Sequence, residues 1–202
     1  TLKALWENKN MEKKEVINFF DNLAEGWDAE QIPKDAIIEK ILDNGGVEPH
    51  KDILDIACGT GTLFPFYFKR NIKSVTGIDI SPEMVKIAKS KFPETEIICG
   101  DAEEYCFNKN FDVIMIYNAF PHFPNPEMLI KNLSQYLKGN GRFTIAHSMS
   151  RAEIQSRHQK RAANVSLELP TAEVLAEMLR PYFNIDIIIS DNEMYQVSGI
   201  KK

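Results

Sequence analysis

The stretch ILDIACGTG, residues 53–61, decides how this chain reads. Ile53, Leu54 and Ile56 flank Asp55 and lead into Ala57, after which the chain turns through Cys58, Gly59, Thr60 and Gly61. That pattern is a buried strand running into a glycine-bearing loop. Glycines there let the backbone turn tightly and approach a ligand closely, as in loops that cradle a pyrophosphate. Asp55 argues against pyrophosphate, because a carboxylate repels it and suits a cation instead.

Outward from this stretch, strands and helices alternate. Periodicity predicts helices over 13–23 and 35–44, the second stopped by Gly45-Gly46. ILDIA is a strand, 62–70 a helix and SVTGIDI a strand. Ser81 caps the next helix and Pro82 opens it, with Lys91 near its end. TEIIC and FDVIMIY are the third and fourth strands. A helix over 126–137 closes at Gly139-Asn140-Gly141, GRFTIAH is the fifth strand, and a helix over 171–180 stops at Pro181. FNIDIII and EMYQVSGI, joined by Ser190-Asp191-Asn192, predict an antiparallel hairpin. Apolar strands alternating with helices specify an α/β chain, its doubly wound sheet covered on both faces. The one long irregular segment, 148–170, is where function or a lid is expected, with a helical cap bearing a wet basic face as the plainer alternative.

The chain has 202 residues, 44% of them apolar, enough for one substantial core. A net charge of −5 gives no bulk attraction to nucleic acid or to an anionic membrane. Three scattered cysteines suit a reducing compartment. No apolar run approaches transmembrane length and residues 1–20 are too charged for a signal peptide, so the expectation is a cytoplasmic protein.

Ligands of open α/β sheets lie beyond the carboxyl ends of the strands, where strand order reverses. Polar groups recur there: Asp55, Gly59 and Gly61 around the end of strand one, Asp79 at the end of strand two, Gly100, Asp101 and Ala102 after strand three, and Asn118 to Phe123 after strand four. Asp79 is placed to accept two ribose hydroxyls. Asp101 is placed to accept an exocyclic amine, and the Ala102 N–H to serve a ring nitrogen. A dinucleotide fingerprint needs a small residue where Phe64 stands. An adenosine with a cationic, phosphate-free amino-acid tail fits these groups, and that molecule is S-adenosylmethionine.

At these residues the chain resembles the class I S-adenosylmethionine-dependent methyltransferases, near the small-molecule branch typified by ubiquinone and menaquinone methyltransferases. ILDIACGTG, VTGIDIS, CGDAEE, FDVIMIYNAFPHF and LKGNGRFTIAH resemble five motifs of that family in order, and FFDNLAEGWD (19–28) resembles the N-terminal segment that closes over the cofactor. The resemblance spans about residues 13–200. It implies a Rossmann-like seven-stranded sheet in the order 3-2-1-4-5-7-6 with the seventh strand antiparallel. It also implies an N-terminal helical cap over 1–46, and a core over 47–202 with a substrate-side insert at 148–170. The implied cofactor contacts are Trp27, Asp55, Ala57, Gly59, Gly61, Asp79, Ile80, Met84, Asp101, Ala102 and Asn118. S-adenosylhomocysteine would be the product.

The implied reaction is in-line displacement of the sulfonium methyl by a small-molecule acceptor, and positioning supplies much of the rate. A general base is needed only where the acceptor carries a proton that leaves near the transition state. His122 and His147 are the catalytic candidates, and Tyr117, His122, Arg151 and His158 the acceptor contacts. The histidines lack regular ligand spacing, so no metal is assigned. A non-catalytic S-adenosylmethionine-binding sensor or accessory subunit is the alternative, while Asp55 and Phe64 disfavour an NAD-dependent oxidoreductase. No Pro-Cys dipeptide and no aromatic–basic stripe is present, which favours a small metabolite over nucleic acid. The acceptor atom and the oligomeric state are not legible in the sequence.

Overall fold

A computed structural model of the chain describes residues 11–30, 32 and 34–202; the first ten residues of the expected cap, with residues 31 and 33, lie outside the described residues. Helices α1 (Lys13–Leu23), α2 (Trp27–Glu30) and α3 (Asp35–Asn44) lead into β1 (Asp52–Ile56), α4 (Phe64–Lys69), β2 (Ser74–Asp79), α5 (Pro82–Lys91) and β3 (Glu96–Cys99). There follow β4 (Phe111–Tyr117), α6 (Pro126–Ser134), β5 (Leu137–His147), α7 (Arg151–Arg161), α8 (Ala172–Leu179), β6 (Phe183–Ser190) and β7 (Tyr195–Lys201). The sheet has the order β3-β2-β1-β4-β5-β7-β6. Strands β1 to β5 pair in parallel, and β7 runs antiparallel to both β5 and β6.

Alternation along the central strands explains the two cores. Leu54, Ile56, Ile114, Ile116, Phe143 and Ile145 face α6 and α8, whereas Ile53, Val75, Val113 and Met115 face α3, α4 and α5. A third, smaller cluster lies outside the sheet. Met11 and Val16 pack there with Ala162, Val165 and Leu167, flanked by Phe19, Phe20 and Ile80. It joins α1 to the segment after α7 and forms a roof over the carboxyl edge of the sheet.

Three boundaries differ from the sequence reading. The first helical turn expected at Thr62 is a non-helical turn, and α4 begins at Phe64. The helix expected to reach Leu137 ends at Ser134, because Leu137 already pairs with Phe111 as the start of β5. The Gly139-Asn140-Gly141 turn sits inside β5 as an irregularity: the register jumps from Phe111↔Leu137 to Val113↔Arg142, with Asn140 at φ 63°. The segment expected to be irregular holds α7, whose first turn is capped by the Ser150 hydroxyl accepting the Glu153 N–H at 3.2 Å. No described helix is long and apolar enough to cross a membrane.

Gly77, at the centre of β2, shows how tightly the site is packed from behind. A Cβ there would lie 2.8 Å from Phe64 Cζ and 2.9 Å from Cys58 Sγ, so Gly77→Ala forces the first-motif loop to shift. The expected loss is about 1–3 kcal/mol of unfolding free energy, measured by urea denaturation at constant m-value.

Candidate active site

The strand tips converge on a cavity of about 1000 Å³, mouth included. Its floor is Asp55, 2% exposed at the end of β1. Burial raises the Asp55 carboxyl well above the usual carboxylate range and neighbouring Asp79 adds to the rise; the Tyr67 hydroxyl opposes it weakly from beside the carboxyl, without closing a well-formed hydrogen bond. An ammonium group would reverse that balance.

Asp79 ends β2. Its two oxygens accept the Gly59 N–H at 2.8 Å and the Ser81 N–H at 2.9 Å. Burial lifts its pKa to about 6 against the pull of those N–H donors, and Asp21 adds to the lift. Each carboxylate oxygen keeps a further acceptor position, as two ribose hydroxyls require.

Backbone shape follows the same logic. Ala57 (φ 52°) after β1 and Asn118 (φ 54°) after β4 both adopt the left-handed region, on the two sides of the point where strand order reverses. Gly59 shares that conformation, and Trp27 Nε1 would lie 3.9 Å from any Cβ placed on it. Cys58 is a buried packing residue whose thiol is pushed up by burial and by Asp55 and Asp79, which makes it a poor nucleophile.

Trp27, Asp55, Ala57, Gly59, Asp79, Ile80, Met84, Asp101, Ala102 and Asn118 all line the cavity, together with Tyr117 and His122. Gly61 does not: its φ of 84° makes the turn into α4, and a Cβ would meet the Phe92 ring at 2.7 Å. Tyr117 and Asn118 are held by Ser148, which accepts the Tyr117 hydroxyl at 2.8 Å and donates its N–H to Asn118 Oδ1 at 3.0 Å.

The expected histidine group is partly assembled. His122 Nδ1 lies 2.7 Å from the Val165 carbonyl, which requires the proton on Nδ1 and leaves Nε2 with its lone pair. Burial pushes this imidazole down to about 4, against the Val165 carbonyl. Its ring meets Phe20 edge-on and His158 at a tilt, each with centroids 4.9 Å apart. His158 and His147 stand behind the wall rather than on it. His147 is 1% exposed, its Nε2 has no hydrogen-bond partner, and burial pushes its pKa down to about 3. Among the described residues, no group of three or more His, Cys, Asp or Glu is arranged to hold a metal ion.

Arg151 is directed elsewhere. Its Nε donates to the Leu169 and Pro170 carbonyls at 2.8 and 3.2 Å and its Nη2 pairs with Glu168, so it fastens the strap after α7 and does not line the cavity. Sequence reasoning missed Lys13, Val16 and Thr62, which line the cavity, and it quoted the stretches holding Phe20, Glu103 and Phe123 without naming these residues as contacts. The amphipathic period of α1 signalled a packed helix but not what its polar first turn would touch.

The Asp79 carboxyl carries a pH prediction. Accepting two hydroxyls requires the ionised form, while the protein alone takes up a proton near pH 6. The affinity for an adenosine ligand therefore falls as pH drops through that value, by about tenfold at pH 5 relative to pH 7.5. Calorimetric titration with S-adenosylhomocysteine at both values checks this, and a flat profile refutes it. Folding stability of the protein alone moves the other way, rising as the proton goes on.

Comparison with known proteins agrees with this geometry. Residues 54–145 match the model of a methyltransferase domain family. Over 157 residues the chain is 31% identical to a malonyl-[acyl-carrier protein] O-methyltransferase of Priestia megaterium, covering 70% of this chain and 56% of that protein. Over 145 residues it is 30% identical to a demethylmenaquinone methyltransferase of Thermotoga maritima, covering 66% and 61%. The chain thus spans less than two thirds of the length of these relatives. Among solved structures, the N-methyltransferase NodS of Bradyrhizobium japonicum in complex with S-adenosylhomocysteine superposes with a TM-score of 0.71 at 14% identity, over 94% of this chain and 97% of that one. The magnesium protoporphyrin IX methyltransferase of Synechocystis, also with S-adenosylhomocysteine bound, gives 0.70 at 14% identity, over 95% and 100%. The matched domain, the relatives and the sheet order together support a class I S-adenosylmethionine-dependent methyltransferase, with S-adenosylmethionine as cofactor.

Proposed function

We propose that this protein methylates a small-molecule acceptor through an oxygen nucleophile. The observation that carries the reading is the presence of two kinds of group around one cavity: buried carboxylates Asp55 and Asp79 on the floor, and the neutral imidazole of His122 on the wall beneath the roof, held by Val165 and Phe20. Oxygen as the nucleophile agrees with the O-methyltransferase named among the relatives.

In this reading Asp55 attracts the ammonium of the methionyl tail and Asp79 the ribose hydroxyls. Asp101 and the Ala102 N–H face the base, while Ile80, Met84 and Trp27 give apolar walls. S-adenosylmethionine supplies an electrophilic methyl when bound. The roof of α1, α2 and the strap after α7 serves as the cap and excludes water, so that the acceptor is held by protein groups rather than by solvent. Tyr117 and Asn118, fixed by Ser148, border the acceptor side.

His122 then has two tasks. Its Nδ1–H, held by Val165, fixes the ring, and its Nε2 lone pair orients the acceptor hydroxyl. A hydroxyl oxygen that has begun to bond to a methyl group is a far stronger acid than imidazolium. Even an imidazole with a depressed pKa therefore takes the departing proton, and being neutral at physiological pH it is always ready to do so. His158 supports the ring from behind, and neither it nor His147 touches the acceptor.

The test has two stages. Calorimetry with S-adenosylmethionine and S-adenosylhomocysteine establishes cofactor binding, and an acceptor screen reading homocysteine release after hydrolysis of the product establishes turnover. Tight binding with no turnover on any acceptor overturns the enzyme reading in favour of a sensor or accessory subunit. On a working acceptor, His122→Asn keeps an N–H for Val165 but removes the base. The expected outcome is a fall in kcat of about 10²-fold or more with S-adenosylhomocysteine affinity unchanged.

A further inference from the structure

Three side chains of the N-terminal segment each grip the loop beyond a different strand. Asp28 accepts the Thr60 hydroxyl at 2.6 Å beyond β1 and pairs with Lys91 at 2.7 Å. Asp21 accepts the Ser81 hydroxyl beyond β2. Beyond β3, the Lys13 ammonium meets Asp101, Glu103 (2.9 Å) and Glu104 (3.0 Å). Of these three gripping side chains only Lys13 lines the cavity itself, at the end where Asp101 and Ala102 lie.

The carboxylates that Lys13 gathers are not equivalent. Glu103 has no side-chain exposure and is locked by the Asn125 N–H at 2.6 Å and the Asn125 amide at 3.2 Å. Asp101 has 24% side-chain exposure, and one of its oxygens accepts the Glu103 N–H at 2.9 Å. The ammonium is what lets two carboxylates lie side by side at the cavity edge. Without it they repel, and Asp101 is the one free to swing toward water.

We propose that Lys13 is a positioning residue for base recognition: it holds Asp101 where its carboxylate accepts the exocyclic amine of the cofactor's purine. Discrimination between an amino and a keto purine then depends on a cap residue far in sequence from the strand-tip motifs that line the cavity. The inference rests on the cofactor orientation proposed above.

The test is a comparison of S-adenosylhomocysteine with its 6-keto analogue S-inosylhomocysteine, titrated calorimetrically into the intact protein. The wild type is expected to prefer the amino purine by about tenfold or more, the worth of a hydrogen bond to a charged acceptor. Lys13→Met and Lys13→Gln should lose most of that preference, whereas Lys13→Arg should keep it. If Lys13 merely fastens the cap, the neutral variants weaken both ligands equally or neither, and the proposal is overturned. Asp101→Asn separates the two levels. Should it leave the preference intact, the cofactor orientation itself is wrong; should it abolish the preference while Lys13→Met does not, only the role of Lys13 fails.

Discussion

One buried carboxylate ties the site together. Asp79 accepts a backbone N–H from the loop beyond β1 and another from the turn beyond its own strand, so a single side chain fixes the relative position of the first two cofactor loops. The cost is electrostatic. A pKa raised from 3.8 to about 6 means that ionised Asp79 destabilises the folded protein by about 3 kcal/mol above that pH. Asp55, deeper still and next to it, is raised in the same direction. Among the described residues no cation pairs with either carboxylate, and an aminoacyl-nucleoside offers a cation to one and paired hydroxyls to the other.

The rest of the molecule serves that arrangement. The parallel sheet delivers five strand tips to one edge, because every β1-to-β5 pairing points the same way. Two of the left-handed non-glycine residues, Ala57 and Asn118, stand where the order reverses. The roof is assembled from pieces distant in sequence, α1 and the strap after α7, sealed by Val16 against Val165 and Leu167 and by the Leu167 N–H donating to the Pro121 carbonyl at 2.7 Å. The same strap carries Val165, whose carbonyl sets the tautomer of His122, so roof and imidazole are positioned together.

The hairpin and most element boundaries were legible in the sequence because they rest on local periodicity and on punctuation by Gly, Pro and Ser, whereas the sheet order was implied by the resemblance of five motifs to a known family. The misplaced boundaries show where that logic stops. Leu137 reads as the end of a helix until its pairing with Phe111 is known, and Gly139-Asn140-Gly141 reads as a closing turn when it is an irregularity within a strand. Non-local pairing outweighed local propensity at both places.

Residues at strand tips could be assigned from sequence alone. The strand aims them at the carboxyl edge, and the spacing of Asp55, Gly59, Asp79 and Asp101 repeats with the βα unit. What only the tertiary structure decided is which side chains outside those tips reach the cavity: His122 does while His147 and His158 stand behind it, Arg151 ties down a strap, and Lys13 arrives from the cap. The reason is geometric. The direction of a loop or cap side chain is set by packing between segments far apart in the chain, and no periodicity within one segment carries that information.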